Sequence, residues 1–165
     1  MSATSSKQSR PALRTSLPLH LAQANIARMR GSLEDPVMAG FVARLESLNA
    51  LADASPGFVW RYQTDAGDAT EVRVFDDQLI LFNMSVWESV ERLEDYVYRS
   101  NHVAALQKRA EWFERPSRAP IVLWWIAAGH VPSVEEAKQR FDAIWRDGPS
   151  AFAFSFRERF AAPAA

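Results

Sequence analysis

Two stretches of the chain, LILF at 79–82 and IVLWWI at 121–126, are apolar at every position. Successive side chains of a β-strand point to opposite faces, so strands of this kind have to be covered on both. Residues 19–30 (LHLAQANIARMR) alternate without a breaker and predict a first strand. Glu34-Asp35-Pro36 marks a helix start: an acidic cap, then a proline whose missing N–H costs nothing in the first turn. Val37, Met38, Phe41, Val42, Leu45 and Leu48 follow at three- and four-residue spacing, and Ser55-Pro56-Gly57 stops the helix.

A second strand is expected over 58–63, with Phe58, Trp60 and Tyr62 on one face and Val59, Arg61 and Gln63 on the other. TDAGDAT at 64–70 is turn chemistry, and 71–75 reads as a short strand. After the strand at 79–87, one long helix is predicted over 88–113, ending before Arg115-Pro116. The strand at 121–127 leads to a third helix with a capping box, Ser133 and Glu136; it reaches Arg146 and stops at Asp147-Gly148-Pro149. Phe152, Phe154 and Phe156 alternate in a last strand.

The order β-α-β-β-α-β, with an added α-β, is the ferredoxin-like α+β plan: one antiparallel sheet with helices on one face. A monomer of that plan leaves its other face wet, and its strands should then alternate apolar with polar. Residues 79–82 and 121–126 do not. The covering expected from this is a second copy, two sheets face to face in a dimeric α/β barrel, so a homodimer.

Composition narrows the function classes. Nineteen basic and twenty acidic side chains are interspersed at a net charge of -1, which gives no electrostatic footprint for nucleic acid or an anionic membrane. With no cysteine there is no thiolate site, and His20, His102 and His130 lack metal-ligand spacing, so no metal is expected. No run approaches the ~18 apolar residues of a membrane span. Residues 1–18 are Ser-rich and acid-free without an apolar core, and read as a disordered tail. Residues 19–160 form the domain, 161–165 a second tail, and cytoplasmic residence is expected. No phosphate loop or nucleophile elbow is present, which speaks against nucleotide chemistry and serine hydrolysis.

On the predicted long helix, Tyr98, His102 and Arg109 share a flank beside the apolar stripe Val90, Leu93, Val97 and Ala104. A phenol, an imidazole and a guanidinium together suit proton transfer beside an anionic or enolate-like group. The structural alternative packs Tyr98 by its ring and pairs Arg109 with Glu88 or Asp95. Trp87 closes its strand, either as a pocket wall or as core. Trp124 and Trp125 face opposite sides, one towards helices and one towards a barrel interior where it can stack on a flat ligand. His130 stands near a capped helix start, where a carboxylate would be favoured. Asn25 shares a face of the first strand with Gln23, and Arg61 shares one with Gln63; polar groups on a buried sheet must be satisfied or serve a ligand.

Phe58-Val59-Trp60-Arg61, Ser85-Val86-Trp87-Glu88-Ser89, Arg99-Ser100-Asn101-His102, Trp112-Phe113, Leu123-Trp124-Trp125 with Gly129-His130-x-Pro132, and Gly148-Pro149 form a set. Over about residues 19–160 this set resembles a bacterial domain-of-unknown-function family, grouped with the dimeric α/β-barrel proteins beside the antibiotic-biosynthesis monooxygenases. The resemblance implies that fold and dimerisation. Haem-degrading members of the wider superfamily use an Asn on the first strand, a Trp on the helix after the third strand, and a haem-ligating His further on. Asn25 matches the first, Tyr96 stands near the Trp position, and Leu106 stands where the His would be, with His102 about one turn earlier. Members acting on aromatic polyketides place Trp, His and Asn or Tyr around a pocket between sheet and helices, a pattern that Trp87 and His102 fit.

These readings converge on a cofactor-independent monooxygenase-like enzyme, or an isomerase or cyclase, acting on a small apolar or aromatic metabolite. His102 would shuttle a proton, and Arg109 would hold developing negative charge. The alternative from another class is a non-catalytic protein that binds a small molecule or haem.

Overall fold

The computed structural model describes residues 18–63, 74–99 and 102–164, the His102 side chain excepted. Strands β1 (Leu19–Arg28), β2 (Phe58–Arg61), β3 (Ile80–Trp87) and β4 (Ile121–Ala127) form one antiparallel sheet in the order β2-β3-β1-β4. The helices are α1 (Ala39–Asp53, entered through a 3-10 turn at Pro36–Met38), α2 (Val90–Arg99), α3 (His102–Trp112) and α4 (Val134–Asp147). This is the ferredoxin-like α+β plan that the hydrophobic pattern predicted, with α4 as an addition.

β1 lies between β3 and β4, and its register sorts the sheet into two faces. Ala22 and Ala24 pair with Val86 and Met84 on one side and with Trp124 and Val122 on the other. These even positions pack beneath Ala137, Phe141 and Ile144 of α4. The odd positions Leu21, Trp87 and Leu123 pack against Val90 and Leu93 of α2. Further along that second face, Met29, Met38, Phe41, Trp112 and Phe113 close a small core between α1 and α3. The apolar strands are thus covered on both faces within one chain, by α1–α3 and by α4. The full burial of Phe82, Val122 and Trp124 follows from that and does not itself call for a second copy.

Local signals act where the sequence put them. The Asp35 carboxylate accepts from the Val37 amide at 2.9 Å, and the Ser133 hydroxyl from the Glu136 amide at 3.1 Å. Gly57 holds φ at +81° in the turn before β2, where a Cβ would collide with the stem of Arg92 on α2. The Gly57 carbonyl accepts from the Glu88 amide at 2.8 Å, which fixes the start of α2 against the sheet.

Of the helix expected over 88–113, the described residues form α2 and α3, and residues 100 and 101 lie outside the described residues. Ala104, expected on the buried stripe, is exposed. Two further expectations need correction. Phe58, Trp60 and Tyr62 do not share a face, because an irregularity at Val59 shifts the register: Phe58 pairs with Trp87 on the α2 side, whereas Trp60 pairs with Val86 on the α4 side. The strand expected at 152–156 contracts to a single bridge between Phe154 and Leu123. Residues 64–73, and with them most of the turn and short strand expected there, lie outside the described residues; Val74 and Phe75 are not in a strand. Among the described residues, no helix is long and apolar enough to cross a membrane.

Candidate functional site

The odd face of the sheet is apolar at its Leu21 end but carries Gln23 and Asn25 on β1 opposite Ser85 and Asn83 on β3. Strand register therefore assembles a polar floor from four polar positions on the facing middles of the two strands. Gln23 Nε2 donates to Ser85 Oγ at 2.8 Å and to Asn83 Oδ1 at 3.1 Å, and Trp87 Nε1 donates to Ser85 Oγ at 2.9 Å. Gln23 and Ser85 are each only 6% exposed.

Above this floor, α1, α2 and α3 do not close completely, and a cavity of about 380 Å³ remains. Its walls are apolar and aromatic: Leu45 and Leu48 from α1, Trp87 from β3, Tyr96 from α2, Leu106 and Trp112 from α3. Tyr96 stacks on Trp87 with ring centroids 5.1 Å apart, and its hydroxyl donates to the Leu48 carbonyl at 3.4 Å. Burial pushes the Tyr96 phenol up to about 12, with the nearby Asp53 charge adding to the effect. It therefore stays protonated at neutral pH and acts as a hydrogen-bond donor.

The cavity holds five of the nine side chains singled out from sequence: Asn25, Arg61, Trp87, Tyr98 and Arg109. Tyr98 and Arg109 meet there from two different helices, not along one flank. Tyr98 is 55% exposed and lies edge-on to Phe156 at 5.7 Å, so it stands at the rim. Arg61 is tied to Asp53, its Nε donating at 2.8 Å. Arg109 is half-buried and has no ion pair or side-chain hydrogen bond among the described residues; Asp95, its expected partner, pairs with Arg99 instead. Burial alone pushes the Arg109 guanidinium below its ordinary value. His102 is the first residue of α3, whose positions 105, 106 and 109 line the cavity.

Trp124, Trp125 and His130 are not brought to the cavity. Trp124 sits at an even register position, so it faces α4, where its Nε1 donates to Glu136 Oε1 at 2.8 Å. Trp125 shares the cavity's face but is capped by the C-terminal segment, its Nε1 donating to the Phe160 carbonyl at 2.9 Å. His130 is exposed on the turn after β4 with its Nε2 2.8 Å from Glu136 Oε2. Glu136 therefore turns away from the reciprocal half of the capping box to join Trp124 and His130. Burial raises its carboxyl, but the hydrogen bonds from His130 and Trp124 outweigh that and hold it below the ordinary range. Its contribution to stability is complete above that range and is lost as pH falls through it. Glu136→Ala should cost about 1–3 kcal/mol at neutral pH, because it strands the buried Trp124 N–H; denaturant unfolding reads this.

Asn83 and Ser85 were not singled out from sequence as ligand-facing. The signal was present: they are the polar odd positions of a strand apolar elsewhere, directly opposite Asn25 and Gln23.

Comparison with curated proteins finds no match. Among solved structures, the chain is similar to SnoaB, a cofactor-independent oxygenase from Streptomyces nogalater. The identity is 13% over 68% of this chain and 95% of that one, at a TM-score of 0.45. It is also similar to NE2512 from Nitrosomonas europaea, a protein of unknown function, with 12% identity over 72% and 99% of the chains at 0.46. PA3566 from Pseudomonas aeruginosa gives 15% identity over 70% and 97% at 0.41. Residues 20–165 match the model of a domain of unknown function, DUF3291, and the chain belongs to that family.

Proposed function

We propose that the protein is a cofactor-independent monooxygenase-like enzyme, or a related isomerase or cyclase, acting on a small aromatic metabolite in the cavity between the sheet and α1–α3. The observation that carries this reading is the cavity itself: about 380 Å³, with a hydrogen-bonding floor, aromatic walls and two arginines, Arg61 and Arg109. Sites for small molecules have this size and make-up.

The chemistry assigned to these residues is proton transfer beside stabilised negative charge. His102 removes a proton from a substrate carbon, and Arg109 holds the enolate that forms. In the oxygenase version, a substrate methylene reacts with O₂. Its two hydrogens leave with one oxygen atom as water, and the other oxygen remains as a carbonyl, so the substrate supplies all the electrons. Cytoplasmic residence and a homodimer accompany this reading, the latter tested by light scattering after size exclusion.

An oxygen electrode with a hydroxyanthrone as probe tests the reaction. One O₂ consumed per probe, faster than in buffer and without added flavin, is the expected result. Probe recovered unmodified from the protein, with no oxygen uptake, overturns the enzyme reading in favour of a binding protein. A Soret band in the purified protein moves it to the haem-binding class.

A further inference from the structure

We infer that the cavity takes a flat monoanion, an aryl carboxylate or phenolate, whose charge is met by Arg109. This rests on the cavity reading above and adds the ligand's charge. The charges lining the cavity are two arginines and, among the described residues, no carboxylate. Arg61 is already neutralised: its Nε and a terminal nitrogen donate to the two oxygens of Asp53 at 2.8 and 3.3 Å. Arg109 has no such partner among the described residues. One uncompensated positive charge therefore remains at a largely apolar site.

A guanidinium stays protonated at any working pH, so the cost of burying it without a partner is present throughout. Surface arginines escape this cost by reaching water, and structural ones by pairing. Arg109 does neither fully, standing half-buried between Leu106 and Trp112 on the cavity side of α3. A ligand anion supplies the missing partner. The rest of the lining suits the remainder of such a molecule: the partly exposed Tyr96, Leu45, Leu48 and Leu106 surround the space for a flat apolar body, and the Ser85 and Asn83 positions offer hydrogen bonds to a second oxygen.

The probes are 1-naphthoate, 1-naphthamide and naphthalene, which share a ring system and differ in charge. Quenching of tryptophan fluorescence, checked by calorimetry, reads their affinity. With wild type, 1-naphthoate should bind at least ~10-fold tighter than 1-naphthamide, the scale of one charge-assisted hydrogen bond. Arg109→Gln and Arg109→Met should each reduce that ratio to about one while retaining 1-naphthamide binding. They should also melt no lower than wild type, because an unpaired half-buried charge has gone; a structural arginine would give the opposite shift. Equal affinity for 1-naphthoate and 1-naphthamide in wild type, or a ratio unchanged in the variants, overturns the charge assignment and leaves the cavity reading standing. Failure of all three probes to bind overturns both.

Discussion

Replacing His102 by alanine is expected to lower turnover by ~10²–10⁴-fold, the usual contribution of a general acid or base. Arg109 and Arg61 stay charged and accept no proton. The Tyr96 phenol, pushed up to about 12 by burial, donates and does not accept at neutral pH. No carboxylate lines the cavity among the described residues. A base near neutrality is then an imidazole. His20 pairs with Ile126 on the even face of the sheet, and His130 is engaged with Glu136 beyond β4. His102 begins α3, the helix that supplies Ala105, Leu106 and Arg109 to the lining. The test is kcat, with the pH profile of kcat/KM. An acid limb in the wild-type profile should be absent from the variant's. An unchanged kcat removes His102 from the mechanism.

The parts of this molecule readable from sequence are those set by neighbours along the chain. Asp35 before Pro36, Ser133 before Glu136 and the apolar runs at 79–82 and 121–126 each determine structure within a few residues, and each does so here. What escaped the sequence depends on pairing across strands or on the path of a connection. The irregularity at Val59 sends Phe58 and Trp60 to opposite faces, which no alternation along 58–63 reveals. Tyr98 on α2 and Arg109 on α3 both line the cavity, because the two helices flank it. The floor is a register effect: Gln23 meets Ser85 and Asn25 meets Asn83 only because β1 and β3 run antiparallel with that offset. Conversely, Trp124 and Trp125 were both candidates, since a strand residue's neighbours are fixed by its face and not by its type. The faces then assigned Trp124 to α4 and left Trp125 under Phe160.

Phe141→Ala should destabilise the fold by about 3–5 kcal/mol, the cost of removing a fully buried ring and leaving a cavity. For a chain of this length each kcal/mol shifts the melting temperature by roughly 2–4 °C, so a drop of about 6–20 °C is expected. Phe141 is fully buried at the centre of the even face, stacked on Trp145 at 5.0 Å and edge-on to Phe75 at 6.4 Å. It belongs to the cluster that includes Ala22, Ala24 and Trp124 of the sheet with Ala137 and Ile144 of α4. The ligand cavity lies on the other face, so 1-naphthoate affinity should stay within about two-fold of wild type wherever the variant remains folded. This pairing of a large stability loss with unchanged binding distinguishes α4 as the cover of the sheet from the alternative in which a second copy's sheet covers that face. In that alternative α4 is displaced, Phe141 meets solvent, and its truncation costs less than about 0.5 kcal/mol. A small shift in melting temperature, together with a dimer in light scattering, would therefore assign the even face to the homodimer and overturn the packing described for α4.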